Sequence, residues 1–140
     1  MAVAHKALEF TPSLQEGHWY LGYALFRNGE FQAALAEMRL EPIRSMRLSG
    51  VALIEQARAD PHAADAALRE LLASNDPLKP YFVAAVYASR GDAGAAVTWL
   101  EHARSSGVGW FTEVSADPAF NPIRGDREFV AFLRRLKLPE

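Results

Sequence analysis

Small side chains recur along this sequence at an interval that few architectures accommodate. Ala34, Ala64 and Ala96 stand thirty and thirty-two residues apart. Aligning them brings Leu21-Gly22, Val51-Ala52 and Val83-Ala84 into one register and Met38, Leu68 and Leu100 into another. Self-similarity at a period of roughly 20–50 residues marks stacked repeats, in which each unit is one supersecondary element that cannot bury its apolar face alone. A small residue at the crossing point lets two helices approach closely, whereas a large one wedges them apart. The register therefore predicts Gly22 against Ala34, Ala52 against Ala64 and Ala84 against Ala96.

The apolar spacing makes each unit a pair of helices. In the first pair, Leu14, His18, Leu21, Gly22 and Leu25 share one face and Trp19, Tyr23 and Phe26 another, a turn falls at Asn28-Gly29, and Phe31, Ala34, Leu35 and Met38 return on the second helix. In this reading Leu21, Gly22, Phe31 and Ala34 hold the pair together, and Trp19, Tyr23 and Phe26 are surplus to it. Glu41-Pro42 ends the second helix early, which shortens the first interval by about a turn. The second pair is read as Arg44 to Arg58 and His62 to Ala73, with Asp60-Pro61 as an N-cap followed by proline at the first helical position. The third runs from Tyr81 through a turn at Gly91-Asp92 to Ala103.

A short helix over 2–11 precedes the pairs and stops at Thr11-Pro12; its abrupt start is what a cut inside a longer protein would leave. After Gly107 and Gly109, residues 110–114 offer one more helical turn, and Asp117-Pro118 and Asn121-Pro122 punctuate a connection. Asp126 then caps a last helix through Lys137, and Phe120, Phe129 and Phe132 are expected to cover the apolar end of the last pair. The boundaries are 2–11 for the leftover helix, 12–42, 43–75 and 76–107 for the pairs, and 108–140 for a C-terminal cap, all within one domain of 140 residues.

Composition narrows the partners. Fifteen basic and seventeen acidic residues leave a net charge of −2 and a pI near 6.1, so no overall field draws nucleic acid or an anionic membrane. Cysteine is absent, which removes disulfides, thiolate nucleophiles and zinc knuckles. No apolar run reaches the ~20 residues of a spanning helix and the first residues carry no signal-peptide core, so a cytoplasmic location is expected. Abundant alanine, leucine, arginine and glutamate, without β-branched runs, make the fold class all-α.

W-Y-L-G-Y-A-L at 19–25, N-G-E-F-Q-A-A-L at 28–35 and R-G-D-A-G-A-A at 90–96 resemble tetratricopeptide repeats. The intervals fall slightly short of that family's period of about 34 residues. The second copy departs from the pattern, with Ala59 where the turn glycine is expected and Ala52 in place of the helix glycine. The segment V-S-A-D-P-A-F-N-P-I-R-G-D-R-E-F-V-A-F-L-R-R-L, 114–136, resembles the ending of bacterial tetratricopeptide regions that follow a winged-helix regulator, a nucleotide cyclase or a protein kinase. The resemblance implies a right-handed α-α superhelix of three pairs, with an orphan N-terminal helix and a capping helix. It implies a protein-interaction module, the scaffolding or sensing part of a larger bacterial protein.

In such a superhelix the first helices line the concave face. The register then places Glu16, Trp19, Tyr23, Phe26 and Arg27 in the groove from the first pair, Met46, Ser49, Leu53 and Gln56 from the second, and Tyr81, Ala85 and Ser89 from the third. Large apolar groups beside an arginine suit an extended peptide or a helix. Trp19 and Tyr23 stand where the lysine and asparagine that clamp a peptide's terminal carboxylate would be, so a chaperone-tail adaptor is not expected. Two competing readings remain: the orphan helix or the tail fills the groove, or the exposed N-terminal helix pairs with its copy in a homodimer.

Chemistry finds no foothold. His5, His18, His62 and His102 lack a second ligand at metal-binding spacing, Gly107-Val108-Gly109 lacks the third glycine of a dinucleotide loop, and Ser105-Ser106 lacks a nucleophile elbow. Glu113, Asp117 and Asp126 fit helix starts or exposed faces, and Arg134, Arg135 and Lys137 complement the dipole of the last helix. No catalytic residue, metal or cofactor is expected.

Overall fold

The computed structural model describes residues 17–107 and 114–137. The expected helix over 2–11, Glu16 and all but Val114 of the extra turn expected over 110–114 lie outside the described residues. Every regular element among the described residues is helical: α1 (Gly17–Arg27), α2 (Phe31–Leu40), α3 (Arg44–Ala57), α4 (Pro61–Ala73), α5 (Lys79–Ser89), α6 (Ala93–Ser105), a 3-10 helix (Pro118–Ile123) and α7 (Arg127–Arg135). The chain, expected from its length to be one domain, divides into two compact units between Ser74 and Asn75.

The turns inside the pairs α1–α2, α3–α4 and α5–α6 are one structure built three times. The backbone N–H groups of Glu30, Asp60 and Asp92 donate to the carbonyls of Leu25, Glu55 and Tyr87 at 2.9, 2.9 and 3.0 Å. The residue before each has a left-handed backbone: Gly29 at φ 81°, Ala59 at 61° and Gly91 at 77°. This combination satisfies carbonyls that a helix end leaves open. The carboxylates of Asp60 and Asp92 then accept from the N–H of Ala63 and Ala95, both at 3.1 Å, and cap the following helix. Glu30 makes no such cap, and its side chain accepts from Asn28 Nδ2 at 2.8 Å. Ala59 thus adopts the conformation its neighbours assign to glycine.

In the first unit α2 packs on α1 and α3, α1 reaches α3, and α3 packs on α4. The fully buried Met38 of α2 explains two glycines at once. A Cβ on Gly22 would stand 3.2 Å from the Met38 Sδ and Cε atoms and 3.2 Å from the Ala34 carbonyl, so Gly22 does meet Ala34 as the register predicts. A Cβ on Gly50 of α3 would overlap the Met38 Sδ and stand 2.8 Å from its Cε.

Glu41 is buried between α2 and α3. Its Oε2 accepts from the Trp19 backbone N–H at 2.9 Å and its Oε1 from Ile43 N–H at 3.3 Å. One carboxylate therefore sits against the positive end of α1 and holds the entry of α3. The Glu41 carbonyl accepts from Arg47 Nη1 at 2.9 Å. His18 Nδ1 and Glu37 Oε2, 2.8 Å apart, add a second polar link between α1 and α2.

In the second unit α5 packs on α6 and on the 3-10 helix, and α7 packs on α6. Phe120, Phe129 and Phe132 are fully buried, and the rings of Phe120 and Phe129 stack 5.7 Å apart at 4°. The segment punctuated by Pro118 and Pro122 is the 3-10 helix, capped by Asp117 Oδ1 accepting from Ala119 N–H at 2.9 Å. Asp117 also accepts from the Tyr81 hydroxyl at 2.6 Å through Oδ2, and its carbonyl accepts from Arg124 Nη2 at 2.8 Å. On the other side, Glu101 of α6 accepts from Arg135 Nη2 of α7 at 2.7 Å and from Arg104 Nη2 at 2.8 Å. Partial burial raises the Glu101 pKa, but the hydrogen bonds and charges of the two guanidinium groups outweigh it and hold the group below its ordinary value of 4.5.

Candidate interaction surface

Helix α1 is apolar on two faces, and burial assigns them different work. Leu21 and Gly22 are buried, whereas Trp19, Tyr23 and Phe26 lie half-buried over Ala34, Leu35, Met38 and Ile54. One-turn spacing brings successive rings together: Trp19 and Tyr23 stack 4.8 Å apart at 15°, and Tyr23 meets Phe26 edge-on at 5.8 Å. Tyr20 stands edge-on to Trp19 at 5.4 Å and is 48% exposed. Arg27 is exposed at the end of the helix. Phe26 is not surplus to the pair, because it meets Phe31 of α2 across the turn at 6.0 Å.

The other expected groove positions divide sharply. Gln56 and Ser89 are half-buried, with the Ser89 hydroxyl donating to the Val86 carbonyl at 2.6 Å. Met46, Ser49, Leu53, Tyr81 and Ala85 are buried and offer a partner no side-chain surface. For Met46, Ser49 and Leu53, α3 is flanked within its own unit by α1, α2 and α4. Tyr81 is covered by the 3-10 helix, its ring 5.8 Å from Phe120. The surface the register spread over three pairs thus contracts to α1.

Several residues weighed for chemistry have structural partners, while His62 is exposed. His18 bonds Glu37, exposed His102 lies 5.3 Å from the Trp99 ring, and the hydroxyls of Ser105 and Ser106 donate to the carbonyls of Glu101 and His102 at 2.9 Å each. Asp126 accepts from Glu128 N–H at 2.9 Å and caps α7. Val108, Gly109 and Glu113 lie outside the described residues. Among the described residues no three His, Asp or Glu side chains cluster to hold a metal ion, and no helix is long and apolar enough to cross a membrane. Set against known proteins, the chain matches no family model, no curated relative and no solved structure.

Proposed function

We propose that this chain is a non-catalytic protein-interaction module built from tetratricopeptide-like helix pairs, and that the aromatic face of α1 takes a peptide or helix of a partner. The observation that carries the reading is the Trp19–Tyr23–Phe26 ladder, which packs on the core with one side and is only partly buried, beside the exposed Tyr20. Rigid stacked rings present apolar area at low conformational cost, which suits them as anchors. The thrice-repeated turn supports the kinship with tetratricopeptide pairs. The resemblance of 114–136 to the ending of bacterial regulators supports a scaffolding or sensing role within a larger protein.

The test is selection of binding peptides from a random displayed library with the full chain, followed by titration of Trp19→Ala and Tyr23→Ala. Truncating an interface anchor costs 2 kcal/mol or more, about 30-fold in affinity. Variants that keep the helical circular dichroism spectrum and still bind at wild-type affinity would sink the assignment of this face.

A further inference from the structure

The corner between α2 and α3 concentrates features that the fold itself does not call for. Leu40, the last residue of α2, is 60% exposed. Arg39, Pro42 and Arg44 beside it are exposed, and Arg47 is half-buried. Arg39 complements the negative end of α2, but Arg44 and Arg47 open α3, whose first turn holds no acidic residue. A cation there opposes the helix dipole and lowers local stability. The carboxylates nearest in sequence are engaged elsewhere: Glu37 with His18, and Glu41 with backbone N–H groups in the interior. The Glu41 carboxylate thus supplies no counter-charge at the surface. Arg47 spends one donor on the Glu41 carbonyl and retains the rest of its fork.

We propose that the corner formed by Arg39, Leu40, Arg44 and Arg47 docks an acidic peptide that carries one aliphatic or aromatic side chain between carboxylates. Leu40 supplies the apolar contact, and the arginines, reinforced by the positive end of α3, supply the charge complementarity that selects acidic over neutral segments. The site is separate from the aromatic face of α1 and does not depend on it.

The probe is a short fluorescein-labelled peptide with a single leucine flanked by aspartate and glutamate, titrated by anisotropy against the full chain. Binding is expected to weaken with salt, as exposed charge pairs do. It should fall about two- to thirtyfold in Arg39→Gln/Arg44→Gln, two exposed charge pairs lost, and should fall also in Leu40→Ser and when the peptide's leucine becomes serine. Arg44→Gln removes an unfavourable cation, so it should melt no lower than wild type while binding less; this opposition separates lost recognition from lost fold. Trp19→Ala, if folded, should leave this peptide's affinity unchanged, so the corner and the α1 face stand or fall separately. Equal losses from Arg69→Gln, exposed on α4, would show charge alone at work and overturn the proposal. So would wild-type affinity in the double variant, no measurable binding of the peptide, or tighter binding of single-stranded DNA or phosphatidylserine vesicles.

Discussion

Ala59 in a left-handed turn sets up an exchange experiment inside one chain. At φ 61° its Cβ crowds the neighbouring carbonyl, a strain of about 1–2 kcal/mol for an L-residue. Ala59→Gly relieves that strain and gives back about 0.4–1 kcal/mol through the greater freedom of glycine in the unfolded chain. The net expectation is stabilisation by ~0.5–1 kcal/mol. Gly29 and Gly91 occupy the same turn at φ 81° and 77°, and a Cβ at either would meet nothing within 4 Å. Gly29→Ala and Gly91→Ala therefore isolate the backbone term with its sign reversed and should each cost about the same amount. Urea unfolding followed by circular dichroism reads all three, with the slope m unchanged if only the native state is affected. In a domain of 60–100 residues 1 kcal/mol moves the melting midpoint by roughly 4–8 °C, well within thermal resolution. A lower midpoint for Ala59→Gly, or unchanged midpoints for both glycine variants, would refute the equivalence of the three turns.

Three further outcomes follow from the interior. Glu41→Gln keeps the shape but leaves one acceptor oxygen for the N–H groups of Trp19 and Ile43, and should cost about 1.5–3 kcal/mol in urea; a loss below ~0.5 kcal/mol would show that the carboxylate is not what holds α1. Tyr81→Phe removes the 2.6 Å bond to half-buried Asp117 and should cost about 1–2 kcal/mol, read as a lower melting midpoint with the helical spectrum intact. Glu101 has a folded pKa below its ordinary 4.5, so its contribution is fully present above that value and is lost as pH falls through the lower folded one. Melting midpoints of wild type and Glu101→Gln should therefore differ at neutral pH and converge in acid, and a gap that persists in strong acid would deny the linkage.

Helices and turns were legible because their signals are local. Apolar spacing and the Asn28-Gly29, Asp60-Pro61 and Gly91-Asp92 signals place the end of α1 and the bounds of α2 to α6 within a residue or two. Asp126 starts α7 as a cap should. What escaped depends on contacts far apart in sequence. Glu41 reads as a helix stop before proline, and nothing near it announces a bond to an amide 22 residues earlier. Nothing in the sequence around Gly50 shows that Met38, twelve residues earlier, needs its space. The groove register failed at Tyr81 for a like reason, since its cover comes from Asp117 and Phe120, beyond the end of its own pair. Ala59 shows the reverse case, a departure from the repeat pattern that leaves the backbone unchanged.

The seating of Met38 between Gly22 and Gly50 bears on how freely such pairs could be shuffled in evolution. In the common register the residue before Val51-Ala52 is Gly50, and the one before Val83-Ala84 is Phe82, itself buried. Copying the third pair into the second position would set a phenyl ring where even a methyl group overlaps Met38. Pairs that look interchangeable along the chain are matched to their neighbours like a key to a single lock. Duplication here would have to be followed by change at 50, or at the Met38 that faces it.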